Sequence, residues 1–340
     1  MKRFLMAMLM WGAWASAAGA EVSPTLDAVR ERGYLTCGVT DRMPGFSNTN
    51  PDGGWSGFFV DFCRAGAAAI FKNPDAVLVG DYWLDALEGR TIDVLHAGST
   101  WTFERDVGQN LDFPAVYLYD GQGFISYAHL GAKTLEDAKT LSGVQVCAIE
   151  TTSTALTNLL DFMARNRVDW TVVPIQTMDG MWAAFFGGRC QMVVHDRTAL
   201  VAVHAGRLEG SKDFVVFPEV ISKEPLSPAV RGDDPRWRDF VAWTVLATVA
   251  AEELGVTRAN VDDMKANAKD PEVRRLLGGE PGIGRGFGLD DEWAYRVIKA
   301  VGNYGEIFDR NVGEGSPFKM SRGLNRLWRD GGLLYPPPIR

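Results

Sequence analysis

The chain has 340 residues, a formal net charge of −8 and a hydrophobic content of 46%. This acidic balance disfavours nucleic acid and anionic membranes, so we expect no nucleic-acid partner. The length predicts about two domains, and the apolar content is sufficient for two cores.

Residues 1–20 form the first recognisable segment. Lys2 and Arg3 precede an apolar run, which ends in small residues at positions 18–20. That pattern predicts a secretory signal peptide, cleaved before Glu21 and too short to span a membrane permanently. A buried N-terminal helix is the alternative. Loss of the two basic residues, from a segment without acids, takes the net charge from −8 to −10. We therefore expect an exported, periplasmic protein.

The rest of the chain alternates between strand-like and helix-like segments. Helix 153–166 carries its own Ser/Thr cap, and helix 234–255 has a proline at its start and a glycine at its end. This alternation predicts an α/β fold with mainly parallel sheets flanked by helices. The predicted strands are 34–40, 91–98, 143–149, 169–175 and 190–196, and the predicted helices are 60–71, 153–166, 178–189 and 234–255.

Two extended runs, 117–127 and 220–230, interrupt the alternation. Two crossings between two α/β units predict a two-lobed clamshell. The first lobe would comprise 21–122 and 221–340, and the second lobe would comprise 123–220. Ligands of such sheets bind beyond the carboxyl ends of the strands, which here means the cleft between the lobes.

Four cysteines follow the signal segment: Cys37, Cys63, Cys147 and Cys190. An oxidising compartment predicts two disulfides, and four cysteines allow three pairings. We favour Cys37–Cys63 and Cys147–Cys190, one in each lobe. A zinc site is the alternative, but no CxxC spacing or histidine cluster supports it, and we expect no metal.

The run "STWTFERD" (99–106) follows a predicted strand at its carboxyl end. An arginine fork matches a carboxylate with two parallel hydrogen bonds, so Arg105 is a candidate carboxylate-binding residue. Thr100 could add a hydroxyl donor. The alternative is a solvated arginine paired with Glu104 or Asp106.

The predicted second lobe offers complementary groups. Asp196 ends a strand and could accept from an ammonium group, and "ETTST" (150–154) opens a helix whose N–H groups, with Thr151 and Thr152, suit an anion. Together with Arg105, this set predicts a site for the zwitterionic backbone of an amino acid. The chain has no HExxH, GxSxG or phosphate-loop pattern, and we interpret His195 as a packing residue. The glycine-rich run 282–288 follows a helix rather than a strand, so it is not a dinucleotide loop. We expect no catalytic residue and no cofactor.

Several segments resemble the periplasmic general L-amino-acid-binding proteins of ABC importers, over nearly the whole mature chain. The resemblance implies a type II binding-protein clamshell, a monomer that delivers an amino acid to a membrane permease. It implies that Arg105 binds the α-carboxylate, Thr100 the ligand backbone and Asp196 the α-ammonium, with Thr151 and Thr152 as a threonine pair. It also places Phe46 and Leu84 near the side-chain pocket. The segments are "VRERGYLTCGV", "GFFVDFCRA", "STWTFERD", "YDGQGF", "AAFFGGRC", "ISKEPLSPAVR", "WAYRVIKAVGNYGEIFDRNVG" and "RGLNRLWRDGGLLYPPPIR".

The sequence departs from the family around the pocket, with Ala97 and Gly98 before the "STW" run and Glu150 before the threonine pair. The stretch "VGDYWLDAL" is also shorter than usual. A carboxylate at Glu150 facing the cleft would disfavour acidic ligands, so we predict a preference for neutral or basic amino acids. Two alternatives remain at this point: a periplasmic dehydratase or lyase that uses His195 or Glu150, and a sensory binding protein.

Overall fold

The computed structural model describes residues 23–40, 43–150, 153–206 and 211–340. The predicted signal peptide, Thr151 and Thr152 lie outside these residues. Within the described ranges, no helix is long and apolar enough to cross a membrane.

The described residues form short strands and helices that alternate along most of the chain. The strands are β1 (Leu35–Val39), β2 (Asn48–Thr49), β3 (Trp55–Ser56), β4 (Val77–Asp81), β5 (Val94–Leu95), β6 (Leu111–Asp112), β7 (Leu118–Asp120), β8 (Gln122–Tyr127), β9 (Val144–Ile149), β10 (Trp170–Ile175), β11 (Met192–Asp196), β12 (Phe214–Val216), β13 (Glu224–Leu226) and β14 (Val230–Arg231). The helices are α1 (Pro24–Arg32), α2 (Phe58–Phe71), α3 (Asp85–Glu88), α4 (Leu135–Lys139), α5 (Thr154–Asn166), α6 (Met178–Phe186), α7 (Arg197–Gly206), α8 (Pro235–Glu253), α9 (Val261–Asn267), α10 (Pro271–Leu276), α11 (Trp293–Val301) and α12 (Tyr304–Asn311).

The first sheet has the strand order β4-β1-β5, and all three strands are parallel. Every residue of β1 is buried, as expected for a central strand covered on both faces. Helices α2, α8, α11 and α12 pack around one core, in which the ring of Phe58 contacts those of Phe62, Tyr117 and Tyr304. The first lobe is thus built from the amino-terminal strands and from helices near the carboxyl end.

The second sheet has the strand order β10-β9-β11-β8-β12. Strands β10, β9 and β11 are parallel, whereas β8 runs antiparallel to both β11 and β12. The sheet is therefore mixed, because β8 enters it directly from the first crossover. The fold has two α/β lobes, each with its own sheet, as the sequence predicts.

One disulfide lies in each lobe. Cys37 of β1 is joined to Cys63 of α2, and Cys147 of β9 is joined to Cys190 just before β11. All four cysteines are buried. The pairing is the one that the sequence analysis favours, and each bond links a central strand to the element beside it.

The two crossover segments run side by side. Strand β7 pairs with β13 in antiparallel fashion, with Asp120 opposite Glu224. Next to this pair, a Cβ atom on Gly121 would lie 2.7 Å from the carbonyl oxygen of Ser222 and 2.8 Å from the Cβ of Val220. Only glycine permits this approach, so the sequence at Gly121 sets how closely the two crossovers pack.

Several predicted boundaries differ from the observed ones. The predicted strand 91–98 is paired only at Val94 and Leu95, because the backbone bends at Ala97 and Gly98 toward the cleft. The helix predicted to run to residue 189 ends at Phe186, where Gly187 follows. The run 282–288 contains a single 3₁₀ turn, which agrees with a connection.

Candidate functional site

A cavity lies between the two sheets and receives residues from both lobes. Its volume is about 790 Å³, including solvent at its mouth. A second cavity adjoins it, and the two share Trp83, Arg105, Ser153 and Thr154. The first cavity is lined by Thr40, Met43, Trp83, Gly98, Thr100, Arg105, Ile149, Ser153, Thr154, Gln176, Met178, His195 and Asp196.

Arg105 is buried in this cavity and is not a solvated surface arginine. The residue is only 7% exposed, and it lies on a short π-helical turn, Glu104–Gly108. One guanidinium nitrogen donates to the carbonyl oxygen of Thr100 at 2.9 Å, which fixes the orientation of the fork. Asp106, the predicted alternative partner, instead accepts from the indole N–H of Trp101 at 2.7 Å. The residues around Arg105 thus fix a positively charged group that faces the cleft.

Burial lowers the pKa of Arg105, and the negative charges of Glu224 and Asp196 oppose that effect. Arginine nevertheless stays protonated at physiological pH. The cavity therefore contains a permanent positive charge that water solvates poorly. A carboxylate on the ligand would compensate this charge with two charge-assisted hydrogen bonds.

Asp196 lies at the carboxyl end of β11 and is also 7% exposed. Burial raises its pKa well above the usual aspartate value, and the neighbouring carboxylates Asp120 and Glu224 raise it further. A hydrogen bond from Gln122 and the charge of Arg105 act in the opposite direction. Ionised Asp196 is thus costly in the empty cavity, and a cation placed beside it would favour the ionised form.

Thr100 and Gly98 complete the first lobe's side of the cavity. Thr100 is buried, and its hydroxyl donates to Glu224 at 2.5 Å. A Cβ atom on Gly98 would lie 3.5 Å from a carboxylate oxygen of Asp196. The first lobe meets the second directly where Thr154 of α5 donates to Glu224 at 3.0 Å. Ala199 and Ala202 of α7, which follows β11, also pack into the core around the first sheet.

Thr151 and Thr152 lie outside the described residues, so their predicted role stays a prediction. The residues that follow them do line the cavity. Ser153 caps α5 by accepting from the N–H of Ala155 at 3.1 Å, and Thr154 begins the helix. The start of this helix therefore faces the cavity, as the sequence analysis expects.

Two residues predicted near the side-chain pocket, Phe46 and Leu84, do not line the first cavity. Phe46 is buried in the first core, where its ring packs against those of Phe58 and Phe59, so it does not reach the main cavity. It lines only a small crevice behind Met43. Leu84 packs in a separate apolar cluster and contacts the adjoining outer cavity instead.

Glu150 and His195 also differ from expectation. Glu150 is exposed and does not line the cavity, but it accepts a hydrogen bond at 3.3 Å from Gln176, which does. His195 does line it, although the sequence predicts only packing. Its Nδ1 accepts from the backbone N–H of Asp196 at 2.8 Å, and burial lowers its pKa to about 4. His195 is therefore neutral at pH 7.

A buried hydrogen-bond network lies behind the cavity, and the sequence does not predict it. Its centre is Glu224, on the second crossover, with Gln122 on the first. From the helix α5, Thr154 and Asn158 reach both residues. Their spacing of four places them on one face of the helix, which is a signal that the sequence carries. Nothing in the sequence indicates that a crossover glutamate would meet this face.

Among the described residues, no group of three or more His, Cys, Asp or Glu side chains is placed to hold a metal ion. The polar groups of the cavity are a guanidinium, carboxylates, hydroxyls and amides. Such groups bind and orient a small polar ligand by charge and hydrogen bonding.

Comparison with known proteins identifies close relatives. The general L-amino acid-binding periplasmic protein AapJ of Rhizobium johnstonii is 42% identical over 332 residues, which is 96% of each chain. The glutamate/glutamine/aspartate/asparagine-binding protein BztA of Rhodobacter capsulatus is 42% identical over 330 residues, again 96% of each chain. No protein-family model matches the chain.

A solved structure is also similar. An ABC transporter periplasmic binding protein from Brucella ovis, with glutathione bound, is 42% identical and has a TM-score of 0.88; the match covers 93% of this chain and 99% of that one. Identity at this level over nearly complete chains shows that this protein belongs to the family of periplasmic amino-acid-binding proteins of ABC transporters and is a solute-binding protein rather than an enzyme.

Proposed function

We propose that the protein captures an L-amino acid in the cleft and delivers it to the membrane permease of an ABC importer. Arg105 binds the α-carboxylate, and Asp196 binds the α-ammonium. The observation that carries this proposal is the pair of buried, opposite charges that line one cavity from the two lobes.

The electrostatics of the empty cleft support a zwitterionic ligand. Desolvation disfavours the charged forms of both Arg105 and Asp196, and each lacks the solvent that would stabilise it. A zwitterion brings a charge of the required sign to each residue. Binding therefore places an opposite charge beside each of two groups whose ionised forms burial disfavours.

The ligands named for the relatives are consistent with this head-group site. AapJ is named for general L-amino acids and BztA for four particular amino acids. The Brucella protein holds glutathione, whose glutamyl residue has a free α-amino and a free α-carboxyl group. A shared amino-acid head group, with different groups beyond it, fits two adjoining cavities that meet at Arg105.

For the side chain of the ligand, we propose a preference for neutral or basic amino acids, to which Glu150 contributes indirectly. Glu150 acts through Gln176, because the Gln176 amide N–H donates to Glu150. The amide oxygen of Gln176 is then left to accept from the ligand. A carboxylate side chain of the ligand would meet an acceptor there, whereas an amide or cation would meet a partner.

The same proposal covers the cellular setting and the assembly. Residues 1–20 direct export to the periplasm, and the mature protein acts as a monomer. The lobes divide at 122/123 and 220/221, near the paired crossovers β7 and β13. Ligand binding favours the closed arrangement of the lobes, and the permease recognises that form. A receptor in place of a permease would make the protein a sensor.

A binding panel tests the function. Unfolding and refolding would first remove any copurified ligand, whose mass would be determined. Thermal shift and calorimetry against the twenty L-amino acids should then show stabilisation by several of them, since a ligand of the folded state raises the melting temperature. Circular dichroism would confirm that the refolded protein is folded. If that protein binds none of the amino acids, the proposal is refuted.

A further inference from the structure

Glu224 is buried beneath the floor of the cavity, with 1% of its surface exposed. Its carboxylate accepts four hydrogen bonds. One oxygen accepts from the hydroxyls of Thr100 at 2.5 Å and Thr154 at 3.0 Å, and the other accepts from Ser222 at 2.6 Å and Asn158 at 2.9 Å. Thr100 and Thr154 line the first cavity, Asn158 lines the adjoining one, and Ser222 lines neither.

This arrangement determines where the hydroxyl protons point. A carboxylate only accepts, and a hydroxyl has a single proton to donate. The protons of Thr100 and Thr154 are therefore directed at Glu224, away from the cavity. Thr154 also accepts from the side-chain amide of Gln122 at 2.7 Å, which orients it further. Both threonines consequently present lone pairs to the ligand rather than donors.

We propose that Glu224 is a positioning residue that makes the Thr100 and Thr154 hydroxyls acceptors, and thereby selects a ligand with an α-ammonium group. The inference rests on the proposed function. It also changes the role of Thr100, which the sequence suggests as a hydroxyl donor: its hydroxyl joins Asp196 in accepting from the ammonium. A 2-oxo acid of the same shape would place a carbonyl oxygen against these lone pairs and would be rejected.

The substitution Glu224→Gln tests this idea because the surroundings determine how the new amide lies. The Nδ2 group of Asn158 donates to the side-chain oxygen of Gln122 as well as to residue 224, so this amide is held with its N–H groups toward residue 224, and the new amide oxygen would stay on that side. The amide NH₂ would then face Thr100 and Thr154 and donate to them. Their hydroxyl protons would turn toward the cavity, which reverses the polarity that the ligand meets.

The measurement is a selectivity ratio by calorimetry. Two pairs serve as probes: L-glutamate with 2-oxoglutarate, and L-leucine with 4-methyl-2-oxopentanoate. For a pair whose amino acid binds, Glu224→Gln should lower the preference for the amino acid over the 2-oxo acid at least tenfold. The matched control is Ser222→Ala, which removes a donor to the same carboxylate but no hydroxyl of the cavity. It should leave the ratio unchanged.

Equal losses for both members of a pair in Glu224→Gln would overturn the inference, because that is the result of a merely structural role. A change of ratio in Ser222→Ala would also overturn it. If Glu224→Gln does not fold, Thr100→Val and Thr100→Ser replace it as the test. Thr100→Val should lose the preference for the amino acid over the 2-oxo acid, whereas Thr100→Ser, which keeps the hydroxyl, should retain it. Absence of amino-acid binding by the unaltered protein would instead refute the proposed function itself.

Discussion

Removal of the Arg105 guanidinium should abolish most of the affinity for the ligand. Each hydrogen bond between charged groups contributes about 1.5–3 kcal/mol, and a fork on a carboxylate makes two of them. Water that enters the cavity of Arg105→Ala would compensate part of this loss. We therefore expect a net cost of about 3 kcal/mol, which is about a hundredfold in Kd.

The assay is calorimetry on refolded protein with the amino acid that binds best in the panel. Arg296→Ala is the control, since Arg296 is a similarly buried arginine far from the cleft. It donates to the backbone carbonyls of Ala68 and Ala69 and pairs with Asp290. This control should lower stability without changing Kd. If Arg105→Ala binds within threefold of the unaltered protein while folded, the assignment of the carboxylate site is wrong.

Four further variants or conditions test the structure. Because burial and neighbouring carboxylates raise the pKa of Asp196, affinity measured by calorimetry should fall as the pH drops through that raised pKa, and an unchanged affinity would contradict the ammonium role. In the ligand-free protein the raised pKa means that folded Asp196 holds its proton more tightly than Asp196 of the unfolded chain. The free energy of unfolding therefore falls as the pH rises from the unfolded pKa to the folded pKa of Asp196. Asp196→Asn, which carries no charge, should raise the melting temperature at neutral pH. The Cys147–Cys190 bond closes 43 residues, so its removal by a double serine substitution should cost about 4 kcal/mol in denaturant unfolding at equal pH, and a cost below about 1 kcal/mol would refute the loop-entropy argument. Gly121→Ala should force the crossovers apart, at a cost of about 1–3 kcal/mol and a weaker Kd, whereas Gly286→Ala, where a Cβ meets no atom within 4 Å, should change neither; equal effects of both variants would contradict the close-approach argument.

The sequence by itself determined the fold class and singled out Arg105 and Asp196, two ionisable residues that line the cavity. Periodicity and caps are local properties, so the alternation of strands and helices was readable, and boundaries were generally within a few residues. Arg105 and Asp196 could be selected because each follows or ends a strand at its carboxyl end, where this class of sheet places its ligands. The four cysteines could be paired correctly because each pair joins a strand to a nearby element.

Only the tertiary structure decided which other groups meet at the cavity. The family resemblance places Phe46 near the side-chain pocket, but three-dimensional packing places its ring in the core. Glu224 gave no local signal, because its neighbours Thr100 and Asn158 are 124 and 66 residues away in the chain. The direction in which a hydroxyl proton points depends on its hydrogen-bond partner in the folded structure. Residue type and spacing in the sequence do not identify that partner.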